Sequence, residues 1–279
     1  MTDQFHNRTR RSRSIPLSLV RRGRILDIPL YYVLRASDLA REGLERSGSH
    51  RFADHIYRGV PSGRGPFGRW LDQRLLRMPA ARAFRFRYLA ARRELAAFLV
   101  ERAATSGNDA TAVLSVPCGI PRELVDAASD VRARLGYLPP RITFYGLDLD
   151  TSVLAEARRF MSDSGLDEFR TLQGDALDRA TYSGTFDFIT CTGLTEFLND
   201  ERVERLFRLL FDVLRPGGRV VTSGMRRRWT SDYLLTLGEL RTHYRDGDEL
   251  RRLLSQLPFR DVSTRVDDTG LQTVMVARK

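Results

Sequence analysis

The sequence predicts an α/β fold: a seven-stranded, mostly parallel sheet preceded by a helical N-terminal extension. Three observations support this prediction. From about residue 110 onward, short apolar runs alternate with helical patterns, which is typical of a parallel sheet covered by helices on both faces. The turn residues 267–270 separate the last two apolar runs and predict a hairpin with an antiparallel last strand. Before residue 110 the pattern is helical and is interrupted by Gly and Pro.

The individual elements follow from apolar periodicity and from turn residues. Strands are predicted near 112–116, 142–147, 169–172, 186–192, 219–224, 260–266 and 271–277, and helices near 121–135, 151–163, 200–214 and 246–256. In the extension, helices are predicted over 31–46, 52–57, 67–77 and from Pro79 to about residue 104, with a loop at 59–66. The predicted parts are therefore a disordered basic tail (1–24), a helical extension (25–109) and an α/β domain (110–279).

Composition indicates a globular chain. Of the 279 residues, 42% are apolar and 29% are charged, which is enough to build a packed core. No apolar run reaches the roughly 20 residues that cross a bilayer, and no apolar segment follows the basic N-terminus as in a secretory signal. Cys118 and Cys191 are the only cysteines, so a disulfide framework is not indicated and we expect a cytoplasmic location.

The net charge of +11 suggests nucleic-acid binding, but much of it is local. Residues 1–24 contain seven arginines and one acid, which leaves a charge of +5 for the rest of the chain. Lys279 is the only lysine, which indicates a compositional bias toward arginine. We expect the arginine run at 8–13 to be disordered. The alternative is weak contact of this tail with anionic lipid, phosphate or RNA, and nucleic acid is disfavoured as a partner.

Two strand ends carry the strongest functional signal. Ala112–Gly119 is an apolar run that ends in a turn and opens a helix, and Ile142–Asp150 is an apolar run that ends in acids. A strand followed by a tight turn and a helix start presents backbone N–H groups to a nucleotide-like ligand. An acid at the end of the next strand can accept from both hydroxyls of a ribose. Asp148 lies 29 residues after Gly119, farther than the roughly 20 residues of the dinucleotide fingerprint.

With these features the sequence resembles the class I S-adenosylmethionine-dependent methyltransferases. Five blocks carry the resemblance in order: Val113–Gly119, Tyr145–Asp150, Gln173–Ala176, Phe186–Leu194 and Leu214–Val221. The resemblance covers about residues 110–279. It implies a Rossmann-like sheet, S-adenosyl-L-methionine as the cofactor, and a helical extension (25–109) that serves as a lid and as a wall for the acceptor.

The resemblance also implies a set of cofactor-binding residues. They are Cys118, Gly119, Asp148, Leu149, Asp175, Ala176, Thr192, Gly193 and Leu194. Asp148 would accept from the ribose hydroxyls, and Asp175 from the adenine amino group. Each acid also has a structural alternative. Asp175 suits a turn. The alternative for Asp148 is a helix N-cap, although Asp150 fits that cap better.

The first loop departs from the family pattern acid-x-Gly-x-Gly-x-Gly. Ser115 stands at the acid position, Pro117 and Pro121 replace two glycines, and only Gly119 remains. Ser115 cannot supply the carboxylate that usually supports this loop. A cofactor-binding or scaffold protein without turnover is therefore one alternative. Glu196 has two interpretations, as a group that positions the donor or as a solvated acid at a helix start.

A general base is harder to assign from the four histidines. His243 and His55 are the catalytic candidates, because family acceptor sites are usually built from the extension and from the region after the fifth strand. Each also suits a structural or surface role, and an acceptor that needs no deprotonation requires neither. The run 226–229 would hold an anionic acceptor or be a solvated charge run beside a buried tryptophan. No pattern of metal ligands is present, so no metal is expected.

The aromatic and apolar content of the extension favours a small organic or lipid-like acceptor. An RNA methyltransferase is the alternative. A base-amino methyltransferase would have an Asn-Pro-Pro-Tyr-like end to the fourth strand, whereas this strand ends in Thr190–Gly193. That subclass is therefore disfavoured.

Overall fold

The computed structural model describes residues 14–46, 49–105, 109–227 and 242–279. The described chain forms two compact units, one containing residues 14–85 and the other containing residues 86–227 and 243–279. None of the described helices is long and apolar enough to cross a bilayer.

The first unit is helical. Its helices are α1 (Ser14–Arg21), α2 (Asp27–Leu34), α3 (Asp38–Glu45), α4 (His50–Arg58), α5 (Gly65–Leu76) and the first part of α6 (Pro79–Thr105). The single helix predicted over 31–46 is wrong, since α2 and α3 are separate. Ser37 has an extended backbone, and its hydroxyl accepts from the N–H of Ala40 as the N-cap of α3.

The structure differs from the predicted tail over residues 14–21, which form α1. Ile15 and Leu19 of this helix are buried in a cluster with Tyr31, Leu34 and Leu44. The apolar spacing of this short segment is sufficient for a helix here because partners from α2 and α3 cover its apolar face. Residues 1–13, including the arginine run at 8–13, lie outside the described residues.

Deleting residues 1–24 is therefore expected to destabilise the protein more than deleting residues 1–13. The longer deletion removes α1, and each buried aliphatic side chain that it carries contributes about 1.5–3 kcal/mol. Calorimetric melting of both variants measures the difference. Equal melting temperatures would show that α1 contributes nothing to the cluster around Tyr31 and Leu34.

The second unit contains the sheet. Its strands are β1 (Thr111–Ser115), β2 (Ile142–Asp148), β3 (Phe169–Gln173), β4 (Phe186–Cys191), β5 (Leu214–Met225), β6 (Arg260–Val266) and β7 (Gln272–Arg278), in the order β3-β2-β1-β4-β5-β7-β6. The pairs from β3 to β5 are parallel, and β7 is antiparallel to both β5 and β6. The predicted Rossmann-like sheet with an antiparallel last strand is confirmed.

Four further helices belong to this unit among the described residues: α7 (Arg122–Leu135), α8 (Thr151–Asp163), α9 (Asp200–Val213) and α10 (Gly247–Leu254). The second half of α6 also belongs to it, because Leu95 and Leu99 pack with Val113 and Phe188 in the main core. The second unit therefore begins at Phe86, inside α6, rather than at the boundary predicted near residue 110.

Candidate functional site

The carboxyl ends of three neighbouring strands lie side by side. Ser115 at the end of β1 is in register with Gly146 of β2 and with Thr190 of β4. Ligands of open α/β sheets bind outside this edge. The predicted cofactor residues follow these ends directly, at 118–119, 148–149 and 192–194.

The loop after β1 is attached to the end of β2. The N–H of Cys118 donates to the carbonyl of Leu147 at 2.7 Å, and the N–H of Gly119 donates to Oδ2 of Asp148 at 3.2 Å. Gly119 has a φ of +51°, which favours glycine. A Cβ on Gly146 would lie 2.5 Å from the Cys118 sulfur, so a glycine in β2 permits this close approach. The cofactor loop and Asp148 therefore form one hydrogen-bonded unit.

Asp148 and Asp150 have different roles. The half-buried Asp148 carboxylate accepts from Gly119 with one oxygen and from the N–H of Asp150, at 3.2 Å, with the other. Each carboxylate oxygen can accept two hydrogen bonds. Asp150 caps α8 through the N–H of Ser152 at 2.8 Å, so its interpretation as an N-cap is confirmed. Leu149, between the two acids, is half-buried.

The turn after β3 lies beside Asp148. The N–H of Gly174 donates to the Asp148 carbonyl at 3.1 Å. The Asp175 carboxylate accepts from the N–H of Leu177 at 2.9 Å, which is the turn role that the sequence also allowed. Ala176 is buried, and its carbonyl accepts from the Tyr182 hydroxyl at 2.7 Å. Contact of Asp175 and Ala176 with adenine stays a prediction.

The end of β4 is shaped by a glycine. Gly193 has a φ of +84°, and a Cβ at this position would lie 2.7 Å from Nη2 of Arg87. Its N–H donates to the Ser223 hydroxyl at 3.2 Å. Thr192 beside it is half-buried, and Leu194 is buried. A side chain at residue 193 would be strained and would also collide with the guanidinium group.

Glu196 is buried behind this strand end, so its interpretation as a solvated acid is wrong. Nη1 of Arg87 lies 3.3 Å from Oε1 of Glu196, and Nε2 of Gln272 donates to the same oxygen at 3.4 Å. The side chains of the ion pair are only 7% and 5% exposed. The sequence did not predict that Arg87 and Gln272 contact Glu196, because both lie far from Glu196 along the chain.

Arg245 fixes the segment that follows β4. Its buried guanidinium donates to the carbonyls of Thr195 and Leu198, both at 2.7 Å, and to the Asp200 carboxylate at 2.6 Å. These bonds hold the short turn Thr195–Phe197 against the chain that follows β5. The turn beside the predicted reacting centre is therefore rigidly supported.

Comparison with known proteins is consistent with this geometry. Residues 113–218 match a family model described as a methyltransferase domain. This match is consistent with the predicted resemblance to the class I S-adenosylmethionine-dependent methyltransferases. Such a domain implies S-adenosyl-L-methionine as the cofactor. Comparison with curated protein sequences gave no match.

Solved structures support the same fold for this chain. A possible exported protein from Bordetella parapertussis is similar over 90% of this chain and 86% of its own, with 24% identity and a TM-score of 0.73. Magnesium protoporphyrin IX methyltransferase from Synechocystis, with bound S-adenosylhomocysteine, is 13% identical over 87% of this chain and 100% of its own, with a TM-score of 0.55. An O-methyltransferase family protein from Burkholderia thailandensis is 15% identical over 75% of this chain and 62% of its own, with a TM-score of 0.50.

The residues of the methyltransferase domain fit this cofactor. Gly119 and Gly193, both with positive φ, bring backbone to the strand ends without a side chain in the way. Asp148 supplies a half-buried carboxylate at the end of β2, where the fold places a ribose. Cys118 is buried, and burial together with the nearby Asp148 and Glu123 carboxylates raises its pKa well above the ordinary value. A thiol with a raised pKa is a poor nucleophile, which agrees with a backbone role for this residue.

The two candidate histidines lie in different units of the methyltransferase. His243 is exposed, and its N–H donates to the Glu196 carbonyl at 2.8 Å, next to the end of β4. His55 is buried in the first unit, where Nε2 lies 3.1 Å from the Val60 carbonyl and 3.6 Å from the Asp72 carboxylate. Asp72 also accepts from the N–H of Ser62 at 2.8 Å. His55 therefore helps to hold the 59–64 loop against α5.

Arg226 lies 3.8 Å from the Asp246 carboxylate and is largely exposed. Arg228 and Trp229, the last two residues of the run at 226–229, lie outside the described residues. No group of three or more metal-ligating side chains occurs in the part of the chain that the structure describes.

Proposed function

We propose that this protein transfers a methyl group from S-adenosyl-L-methionine to a small organic or lipid-like acceptor. The single observation that supports transfer most strongly is the hydrogen-bonded unit of Gly119 and Asp148 beside the end of β4. This arrangement combines backbone donors with a carboxylate at the edge where the fold binds ligands.

The apolar surface of the first unit supports an apolar acceptor. Most of the exposed large apolar side chains among the described residues lie before Arg85, including Leu26 at 92% exposure. Phe67 and Trp70 are both about half exposed and stack with ring centroids 5.9 Å apart. Exposed aromatic and aliphatic groups at this density commonly mark a binding surface, and they suit a hydrocarbon or aromatic acceptor better than a phosphate chain.

The bound cofactor supplies an activated methyl group for in-line displacement. The protein would hold the ribose through Asp148 and the adenine through Asp175 and Ala176. Backbone at 118–119 and 192–194 would border the methionyl part and the reacting centre. Holding donor and acceptor in one geometry, away from water, is the main rate contribution that such a site makes.

His243 is the better candidate for a general base if the acceptor must lose a proton. It is exposed, and its backbone is attached to the turn that follows β4. His55 is engaged in a buried network, so a structural role explains its position. Both catalytic assignments stay predictions.

Replacing the two histidines separately tests these assignments. His243→Ala is expected to lower kcat about 100- to 10,000-fold, the usual contribution of a general base, with unchanged affinity for S-adenosylhomocysteine. His55→Ala is expected to lower the melting temperature with little effect on kcat in the folded fraction. Steady-state kinetics and thermal melting distinguish the two. A normal kcat in His243→Ala would show that no histidine at this position removes the proton.

Release of S-adenosylhomocysteine in the presence of defined acceptors tests the proposed activity. Phenols, amines and fatty acids represent small acceptors, and structured RNA represents the alternative class. Turnover with a small acceptor supports the proposal. Turnover with RNA alone would favour the RNA methyltransferase, and cofactor binding without turnover on any acceptor would favour the scaffold protein suggested by the altered loop.

The predicted cytoplasmic location belongs to this proposal. It is supported by the free, buried state of Cys118 and Cys191, since a reducing compartment leaves thiols unpaired. The exported character suggested for the Bordetella protein is a reason to test the location directly by fractionation.

A further inference from the structure

Glu123 is a buried carboxylate at the base of the cofactor loop. It lies in the first turn of α7 and is 8% exposed. Its Oε1 accepts from the Ser115 hydroxyl at 2.7 Å and from the Thr190 hydroxyl at 3.2 Å. The carboxylate therefore joins the last residue of β1, a residue near the end of β4 and the first turn of α7.

Within the described part of the chain, no ion pair balances the charge of this carboxylate. None of the described ion pairs includes Glu123. Its described side-chain partners are the hydroxyl groups of Ser115 and Thr190. Burial raises its pKa, the bonds from Ser115 and Thr190 oppose that rise, and the nearby Asp126 adds to it. A buried carboxylate without a cation is costly, because hydroxyl donors replace only part of its hydration.

A second carboxylate acts on the same loop. Glu123 and Asp148 both raise the pKa of Cys118, so two carboxylates act on one short loop from different elements. The Asp126 carboxylate accepts from the Tyr88 hydroxyl, one turn further along α7. A site with excess negative charge selects a cationic ligand.

We propose that Glu123 is the counter-charge for the positively charged methionyl end of S-adenosyl-L-methionine, supplied from α7 in place of the acid that β1 lacks at Ser115. This inference rests on the proposed function, because it requires the cofactor to lie at these strand ends. The donor carries an ammonium and a sulfonium group, and its demethylated product keeps only the ammonium. A carboxylate beside the loop stabilises either charge.

The role differs from simple support of the fold. The Ser115 and Thr190 hydroxyl oxygens lie 3.2 Å apart, so with an apolar residue at 123 the Thr190 hydroxyl can donate to Ser115 instead of to the carboxylate. A carboxylate adds negative charge at this point, which a cation bound beside the loop would balance. Glu123 is thus a cofactor-positioning residue, and its effect should appear in binding.

Isothermal titration of Glu123→Gln with S-adenosylmethionine and with S-adenosylhomocysteine tests the inference. The amide keeps the size of the side chain and can still accept from both hydroxyls, but it removes the charge. We expect a loss of affinity of about 10- to 100-fold, the usual effect of removing a charged partner. A loss for both ligands places the contact at the ammonium, and a loss for the donor alone places it at the sulfonium. Unchanged affinity for both overturns the proposal.

A rescue and a control complete the test. Ser115→Asp in the Glu123→Gln background returns a carboxylate to β1 and is expected to restore most of the lost affinity. Asp163→Asn also replaces a carboxylate with an amide, but at an exposed position on α8. It should leave the affinity for both ligands unchanged. Thermal melting establishes that each variant is folded. If the wild-type protein binds both ligands and Glu123→Gln binds both equally well, the counter-charge is refuted while the proposed function stands.

The pH dependence gives a second measurement. Because the pKa of Glu123 is raised, its charge is present above that pKa and is lost as the pH falls through it. Affinity for S-adenosylhomocysteine should therefore fall on acidification at a higher pH than an exposed glutamate would require. In Glu123→Gln this step should be absent, and a step that persists would assign it to another group, such as Asp148.

Discussion

Asp148→Ala is expected to abolish measurable binding of S-adenosylmethionine and S-adenosylhomocysteine. The variant loses a carboxylate predicted to accept from two ribose hydroxyls, and each hydrogen bond to a charged group contributes about 1.5–3 kcal/mol. It also removes the acceptor for the N–H of Gly119, so the loop after β1 keeps only the bond from Cys118 to Leu147 as its attachment to β2. Together these effects predict a loss of about 100-fold or more in affinity, measured by isothermal titration.

Asp150→Asn is the matched control for this variant. Asp150 lies two residues away and caps α8, and asparagine caps a helix about as well as aspartate does. Its affinity for both ligands should stay within about twofold of the wild type, as expected for an equivalent cap. Normal binding by a folded Asp148→Ala protein would refute the ribose assignment.

Arg87→Met is expected to lower the free energy of unfolding by about 3–5 kcal/mol, because it leaves Glu196 as a buried charge without its cation. Gln272 would still donate to Glu196, but an amide does not neutralise a carboxylate. Urea unfolding, followed by circular dichroism, measures the change. The double variant Arg87→Met, Glu196→Gln removes both charges and should recover more than half of the lost stability.

The exposed ion pair between Arg265 and Glu94 provides the comparison. Nη1 of Arg265 lies 2.8 Å from Oε1 of Glu94, and the arginine side chain is 57% exposed. This pair also joins α6 to the sheet, through β6, but in solvent. Arg265→Met should cost about 0–1 kcal/mol. A similar cost for Arg87→Met would contradict the inference that the buried pair stabilises the end of β4.

The features that could be predicted without the structure depend on residues that are close together in the sequence. The helix expected at 151–163 and the strand expected at 260–266 agree with α8 and β6, because periodicity and caps act within a few residues. Asp148 and Gly119 could be placed at strand ends for the same reason, since each directly follows an apolar run. The sequence also determined the order of strands and helices from which the sheet is built.

The features that only the tertiary structure decided depend on contacts between residues that are far apart in the sequence. Glu123 meets Thr190 across 67 residues, and Arg87 meets Glu196 across 109. Neither acid differs locally from a solvated glutamate at a helix or turn start, so no local pattern predicted its burial. The break between α2 and α3 and the packing of α1 likewise depend on distant partners. Local sequence thus determined where the strands end and placed Asp148 at one of these ends. The tertiary structure decided that the charged groups of Glu123, Arg87 and Glu196 are buried near the strand ends.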